Sequence, residues 1–124
     1  MRLLLDTHVL IRALRNERLT KAARAAIVDP TNDVVVSAVS LWELSIKAQL
    51  GRLDMPDRIV EQLQDNGMAL LPITATHALA VGELPLHHRD PFDRMIVAQA
   101  LAETCTLVTR DKQLQLYDVP VLRT

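Results

Sequence analysis

The sequence predicts an α/β protein with three layers, α/β/α, in which a mostly parallel sheet of five strands is covered by helices on both faces. Short runs of aliphatic and β-branched residues alternate along the chain with segments whose apolar residues recur at helical spacing. The run Val34–Val36 is apolar without interruption, as expected of a strand buried on both faces of a parallel sheet. The 124 residues suit one domain, residues 1–124, with a single core.

The first half of the chain is predicted to contain two strands and four helices. Thr20 is a favoured N-cap, and Asp29-Pro30 stops the helix that it opens. The pattern Ser40-x-x-Glu43 is typical of a capping box at a helix start. In order, we expect a strand Arg2–Leu5, a helix over Val9–Leu14, a helix from Thr20 to Val28, a strand Val34–Val36, a helix from Ser40 to Gly51 and a helix from Pro56 to Asn66-Gly67.

The second half is predicted to contain three strands and three helices. Pro72 cannot donate to a sheet ladder, so the run Met68–Ile73 fits an edge strand. Asp90 precedes Pro91 as an N-cap precedes a helix start. In order, we expect that edge strand, a helix from Thr74 or Thr76 to Val81, a connection Leu84–Arg89, a helix from Pro91 to about Ala102, a strand Thr106–Thr109, a short helix Lys112–Leu116 capped by Asp111 and a strand Val119–Leu122.

The composition predicts a soluble, cytoplasmic protein without a membrane span. No apolar run approaches the about 18 residues that cross a bilayer, and the start lacks the features of a secretory signal. The single Cys105 excludes an internal disulfide framework and is expected in the core. The net charge of −1 gives no global attraction for nucleic acid, so any attraction must be local. One locally basic region consists of Arg12, Arg15, Arg18, Lys21 and Arg24, a pattern that also fits a solvated helix face.

Four acidic residues stand where predicted strands end or helices begin. Asp6 follows the first strand and Asp111 follows the fourth, while Glu43 and Asp93 lie in the first turns of helices. Right-handed crossovers bring all strand carboxyl ends to one edge of a parallel sheet, where ligands bind. Asp90 and Asp93 also have the spacing of a capping box, which by itself would account for both carboxylates. The spacing therefore permits one cleft that contains all four acids.

Such a cleft would require a cation. Two carboxylates ~5 Å apart repel by roughly 3 kcal/mol at an effective dielectric of 20. Helix N-termini offset only about 0.3–1 kcal/mol each. Mg²⁺ or Mn²⁺ accepts oxygen ligands and is commonly shared between protein carboxylates and a substrate phosphate. The acids therefore favour phosphoryl chemistry in which a metal activates water and stabilises the leaving oxygen.

Four motifs occur in a fixed order: Leu4-Leu5-Asp6-Thr7, Ser37-x-x-Ser40-x-x-Glu43, Asp93-x-x-Ile96-x-Ala98-x-Ala100 and Leu107-Val108-Thr109-x-Asp111. In this order they resemble PIN-domain ribonucleases and, more narrowly, the VapC-type toxins of type II toxin–antitoxin systems. The segments Asp90–Arg94 and Ile46-Lys47 … Gly51-Arg52-Leu53 resemble one subgroup of these toxins. The resemblance covers nearly the whole chain and implies a PIN-like fold.

The resemblance also implies roles for individual residues. Asp6, Glu43, Asp93 and Asp111 would hold Mg²⁺ or Mn²⁺, and a metal-activated water would hydrolyse an RNA phosphodiester. Asp90 either caps its helix or adds a metal ligand, so the number of bound metal ions, one or two, stays open. Supporting positions beside the acids are Thr7, Ser40 and Thr109. The implied partners are RNA, a second copy of the chain and a cognate antitoxin whose C-terminal segment blocks the cleft.

Several other side chains have two interpretations. Possible contacts to RNA phosphates, with surface ion pairs as the alternative, are Lys47, Arg94 and Arg110. Adjacent residues rarely point at one ion, so neither His87 nor His88 is included in the predicted ligand set. His8 is a weak candidate for lining the site. Trp42 is expected in the core rather than stacked on a base, because the chain has only 2% aromatic residues for packing.

Two other functions compete with the nuclease. A phosphoacceptor signalling domain also places Asp at strand ends, but it requires an acidic pair at the first strand end, where this chain has Asp6-Thr7-His8. It also requires Lys after the last strand, where this chain has Arg123-Thr124. A PIN-like module that only binds RNA or protein would be favoured by an incomplete acidic set, and this set is complete.

Overall fold

Five parallel strands form one sheet in the order β3-β2-β1-β4-β5, in a computed structural model that describes Met1–Thr124. The strands are β1 (Arg2–Leu5), β2 (Asp33–Ser37), β3 (Ala69–Leu71), β4 (Thr106–Thr109) and β5 (Val121–Arg123). The helices are α1 (Thr7–Leu14), α2 (Lys21–Val28), α3 (Ala38–Gln49), α4 (Ile59–Asp65), α5 (Ala75–Val81) and α6 (Pro91–Ala102). The predicted five-stranded parallel α/β architecture is confirmed.

The sheet separates two apolar clusters, one on each face. Successive side chains of a strand point to opposite faces, so Leu3 and Leu5 enter the first cluster and Leu4 enters the second. Helices α1, α2 and α4 cover the first face, and α6 covers the second. This two-sided burial explains why β1 and β2 have continuous apolar sequences. Cys105 lies buried in the second cluster, as predicted.

Most helix boundaries follow the predicted caps. The Thr20 hydroxyl accepts a hydrogen bond from the Ala23 amide and opens α2, and Asp90 opens α6 with Pro91 at its first position. Gly51 and Gly67 both have a φ of +71°, so they end α3 and α4 in the left-handed conformation that glycine adopts without strain.

Several predicted boundaries were wrong: α1 begins at Thr7 rather than Val9, and β3 covers only Ala69–Leu71 of the predicted run Met68–Ile73. Helix α3 begins at Ala38 because the Ser37 hydroxyl accepts from the Val39 amide at the end of β2, so Ser40 lies inside the helix. Helix α4 begins at Ile59 rather than Pro56, after Arg58 in a left-handed conformation. The short helix after β4 is a 3₁₀ turn, Leu114–Leu116, and β5 starts at Val121 because Pro120 has no amide hydrogen for the ladder.

The strand order reverses at β1, which pairs with β2 on one side and with β4 on the other. Such a reversal opens a crevice at the carboxyl ends of the strands. Residues that follow β1, β2 and β4 therefore meet at this edge. None of the helices combines the length and apolar character needed to cross a membrane.

Candidate functional site

Asp6 follows the central strand and is held by three hydrogen bonds. Its Oδ1 accepts from the amides of His8 and Val9, at 2.8 and 3.2 Å, and thereby caps α1. Its Oδ2 accepts from the Thr109 hydroxyl at the end of β4. The residue is only 2% exposed, so its carboxylate is held in place at the sheet edge where the strand order reverses.

Glu43 lies on α3 and has one oxygen that the protein leaves unpaired. Its Oε2 is 2.8 Å from Nζ of Lys47, one helical turn further on. Its Oε1 is the one buried side-chain oxygen or nitrogen in the protein with no hydrogen-bond partner. A buried unpaired polar atom is costly, so this oxygen calls for a partner that the chain does not supply.

Asp93 lies in the first turn of α6 and does not complete a capping box. The backbone amide of Asp90, which a capping box would satisfy, donates instead to Nδ1 of His88. Burial raises the pKa of Asp93 from its ordinary value of 3.8 to about 7, and the negative charges of Asp90, Asp6 and Glu43 add to this rise. The N-terminus of α6 therefore carries a carboxyl group whose ionisation is opposed by burial and by the neighbouring negative charges.

Asp111 follows β4 and faces Asp93 across His88. The Asp111 amide donates to the Thr109 hydroxyl at 3.0 Å, and Oδ1 accepts from the Gln113 amide at 2.8 Å. The other oxygen, Oδ2, lies 3.1 Å from Nε2 of His88, which is also 3.3 Å from Oδ2 of Asp93. One imidazole nitrogen thus contacts carboxylates from two separate segments.

Four acids therefore gather at one edge of the sheet; we call this site the acidic cleft, composed of Asp6, Glu43, Asp93 and Asp111. Asp93 experiences the charges of Asp6 and Glu43, and His88 joins Asp93 to Asp111. The predicted supporting hydroxyls lie between the acids: Thr109 contacts Asp6 and Asp111, and the Thr7 hydroxyl donates to that of Ser40 at 2.9 Å. Asp90 caps α6 with Oδ1, which accepts from the Phe92 and Asp93 amides.

The cleft fits a hard divalent cation. Its donor atoms are carboxylate oxygens, one of them buried without a partner. Burial and then the charges of Asp90, Asp6 and Glu43 raise the pKa of Asp93, so this carboxyl group is costly to ionise without a further positive charge nearby. Bound cations remove both of these costs at once.

Two residues lie elsewhere than the sequence suggested. Arg94 was a candidate phosphate contact, but it is 9% exposed and donates to the Val81 and Pro85 carbonyls and the Tyr117 hydroxyl, so it is a structural residue. Trp42 was expected in the core, but it is 58% exposed and packs edge-on against Phe92. An aromatic-poor chain fills its core with aliphatic side chains instead.

His88 is the cleft residue that the sequence did not identify. The side chains of the two adjacent histidines make different contacts. His87 packs its ring against Tyr117, with ring centroids 5.0 Å apart, while His88 enters the cleft. The available signal was the position of the pair just before the Asp90–Asp93 helix start.

A basic groove of about 260 Å³ lies beside the cleft. Thr7 and Lys47 line the groove and adjoin the cleft, because Thr7 follows Asp6 and Lys47 contacts Glu43. Its cationic side chains are Arg12, Arg15, Lys47 and Arg52, with His8 among the lining residues. Arg110 is exposed next to Asp111 and lines a second depression with Arg12 and Arg18. The positive charge that the whole chain lacks is thus concentrated locally.

The fold and the cleft define an α/β protein with a parallel sheet and a group of carboxylates at the sheet edge where the strand order reverses. A family model for the PIN domain matches residues 3–120. Ribonuclease VapC22 of Mycobacterium tuberculosis (strain ATCC 25618 / H37Rv) is 30% identical over 121 residues, which cover 94% of this chain and 92% of that protein. The chain therefore belongs to the PIN-domain family, and the predicted resemblance to VapC-type proteins is confirmed.

Solved structures share the same fold across the whole chain. VapBC2 from Rickettsia felis, bound to a DNA fragment from its promoter, superposes with a TM-score of 0.75 at 17% identity, covering 99% of this chain and 98% of that one. DNA-bound VapBC from Salmonella typhimurium gives a TM-score of 0.72 at 17% identity, with coverage of 99% and 98%. At such low identity the likeness supports the fold.

Proposed function

We propose that this protein is a divalent-metal-dependent endoribonuclease and the toxin of a type II toxin–antitoxin system. The observation that carries the proposal is the buried, unpartnered Oε1 of Glu43, in a cleft where burial and then the charges of Asp90, Asp6 and Glu43 raise the pKa of Asp93 to about 7. The similarity to a protein named as a ribonuclease supports the reaction class.

The residues that would hold Mg²⁺ or Mn²⁺ are Asp6, Glu43, Asp93 and Asp111. When bound, such a cation supplies Lewis-acid stabilisation to a phosphodiester and to the attacking water. The protein contributes rigid positioning of the oxygens. Thr109 orients Asp6, and Lys47 holds one oxygen of Glu43 while leaving the other free.

Asp90 and the small hydroxyl residues support this ligand set from outside. Asp90 serves the α6 N-terminus, and its charge next to Asp93 strengthens the requirement for a cation. The bond between Thr7 and Ser40 joins the first turn of α1 to α3, and so fixes the helices that carry Asp6 and Glu43 relative to each other. Partners of this kind typically change metal affinity by about 10–100-fold when removed.

The basic groove supports a polyanionic substrate. A net charge of −1 gives the protein little long-range attraction for RNA, so phosphates must be attracted by local cations. The groove supplies Arg12, Arg15 and Arg52 beside the cleft, and Arg110 stands exposed next to Asp111. An RNA strand that follows these cations would pass its backbone over the acids.

We further propose a cognate antitoxin that covers the cleft, and a homodimer. One solved structure with this fold is described as a member of the VapBC family of toxin–antitoxin systems, VapBC-5 from Mycobacterium tuberculosis. Exposed apolar surface is typical of protein interfaces, and Trp42 and Phe92 border an apolar depression of about 240 Å³. Sedimentation equilibrium of the isolated chain should show a dimer; a monomer at all accessible concentrations would contradict that part.

Cleavage of purified RNA with Mn²⁺, and with EDTA in its place, tests the activity. Wild-type protein free of antitoxin should cut RNA with Mn²⁺ and lose that activity with EDTA. Asp93→Asn should be inactive, whereas Asp65→Asn, which alters an exposed carboxylate on α4, should cut normally. Cutting that persists in EDTA, or none by folded wild-type protein, would contradict the proposal.

A further inference from the structure

His88 lies in the acidic cleft with each ring nitrogen in a defined contact. Its side chain is 12% exposed and lies in the connection between α5 and α6. Nε2 lies 3.1 Å from Oδ2 of Asp111 and 3.3 Å from Oδ2 of Asp93. Nδ1 accepts a hydrogen bond of 3.0 Å from the Asp90 amide. The backbone of His88 is held as well, because its amide donates to the Tyr117 hydroxyl at 3.1 Å.

The contact with Asp90 selects one tautomer of the imidazole. A backbone N–H can donate to Nδ1 only if Nδ1 carries a lone pair, so a neutral ring carries its proton on Nε2. That proton faces the two carboxylates. The hydrogen-bond network therefore makes His88 a donor to Oδ2 of Asp111, with Oδ2 of Asp93 lying 3.3 Å from the same nitrogen.

The same atoms form a group that resembles a metal-ligand triad. One ligand atom each from His88, Asp93 and Asp111 lies within 4.8 Å of the others. For Nε2 to bind a cation, the ring proton would have to leave Nε2, and a shift of that proton to Nδ1 would break the bond from the Asp90 amide. The tautomer thus argues against ligation by His88 and favours oxygen ligands alone.

We propose that His88 is a positioning residue that sets the separation of the Asp93 and Asp111 carboxylates through its Nε2–H group. The two acids belong to separate segments, the start of α6 and the loop after β4. The Nε2–H group donates to Oδ2 of Asp111 and lies 3.3 Å from Oδ2 of Asp93, so it attracts both oxygens toward one point in the metal-free protein. This inference rests on the proposed metal-dependent function.

The first test reads the tautomer directly in the wild-type protein. Two-dimensional ¹⁵N–¹H NMR that correlates imidazole nitrogens with ring carbon-bound protons distinguishes protonated from lone-pair nitrogens, and the spectrum of His88→Ala assigns the signals. At a pH where the ring is neutral, Nε2 should be protonated and Nδ1 should carry the lone pair, both without metal and with saturating Mg²⁺. A proton on Nδ1, or a lone-pair Nε2 that shifts when Mg²⁺ binds, would overturn the proposal.

The second test measures Mn²⁺ affinity by electron paramagnetic resonance of the free ion. His88→Ala should bind Mn²⁺ about tenfold more weakly than wild type. His88→Gln, which keeps a side-chain N–H donor without an imidazole lone pair, should recover most of that loss. His87→Ala is the matched control, because the His87 ring contacts Tyr117 and is predicted to leave Mn²⁺ affinity unchanged.

The outcomes separate this inference from the proposed function. If wild-type protein binds Mn²⁺ and His88→Ala binds it equally well, the positioning role is wrong while the nuclease proposal stands. If His88→Gln binds Mn²⁺ as weakly as His88→Ala, the donor role is wrong. If wild-type protein binds no Mn²⁺, both proposals fail together.

Discussion

His77 and His88 each contact a carboxylate, but their surroundings have opposite electrostatic character. Nε2 of His77 lies 2.8 Å from Glu103, and its Nδ1 accepts from the Thr74 amide at 3.1 Å. The hydrogen bond from His77 lowers the pKa of Glu103. Beside His88, burial and three neighbouring acids raise the pKa of Asp93 to about 7.

The difference separates a structural network from a binding site. The His77 network, which consists of His77, Thr74, Gln99 and Glu103, satisfies its buried groups with atoms of the chain itself. The acidic cleft gathers charges of one sign and leaves Oε1 of Glu43 without a partner. A polar network that is complete without a ligand stabilises the fold, whereas an incomplete one marks a place for a ligand.

The largest expected effect is on RNA cleavage by Asp93→Asn. The substitution keeps the shape of the side chain but removes a charge that the proposed metal site requires. We expect the rate to fall by about 10²-fold or more, beyond the about 10–100-fold typical of residues that only support a ligand. Initial rates measured beside those of Asp65→Asn provide the check, and a variant that keeps half of the wild-type rate would remove Asp93 from the site.

His77→Ala should reduce stability by about 2–4 kcal/mol, since it creates a cavity and leaves the buried groups of the network without partners. Urea unfolding of metal-free protein measures this loss. The loss should be the same with saturating Mn²⁺, because the network holds no cation. A loss that Mn²⁺ abolishes would mean that the two regions are not distinct.

Mn²⁺ should stabilise the wild-type protein against unfolding. A ligand that binds only the folded state at a hundredfold excess over its Kd contributes about 2.7 kcal/mol. Thermal melts should therefore show a rise in Tm for wild type and for His77→Ala, and a much smaller rise for Asp93→Asn. Equal rises in all three proteins would place the bound ion outside the cleft.

The smallest expected effect is the pH dependence of metal-free stability. The pKa of Asp93 is raised in the folded state, so the folded protein holds this proton more tightly, and stability from this group declines as pH rises from about 4 to about 7. Glu103 has the opposite sign: its lowered pKa gives stability at neutral pH that is lost on acidification.

Asp93→Asn should flatten the decline toward neutral pH by on the order of 1–2 kcal/mol, after solvent screening at the cleft mouth. Glu103→Gln should alter only the acidic limb. Urea unfolding at a series of pH values resolves the two limbs. A wild-type protein whose stability rises steadily up to pH 7, unchanged by Asp93→Asn, would contradict the raised pKa.

The sequence predicted the sheet and the caps well because these depend on local chemistry. Continuous apolar runs marked β1 and β2, and Asp90-Pro91 marked the start of α6. The capping box predicted at Ser40 was wrong because Ser37, the last residue of β2, caps the helix three residues earlier. Both residues are serines and therefore equally favoured as N-caps, so only their positions in the folded protein distinguish them.

The cleft was predicted in outline and missed in detail. The topology of parallel strands brings Asp6 and Asp111 to one edge, and this follows from the order of elements. The burial of Arg94 and the entry of His88 depend on the path of the loop between α5 and α6, which no local pattern specifies. The exposure of Trp42 likewise reflects a core already filled by aliphatic residues.

Crystals soaked in MnCl₂ offer the most direct measurement, because anomalous scattering locates the ion without reference to activity. We expect manganese in the acidic cleft, with Oε1 of Glu43 among its nearest oxygens and carboxylates of Asp6, Asp93 or Asp111 completing the ligand set. Manganese bound only elsewhere, or a cleft without an anomalous peak at saturating metal, would contradict it.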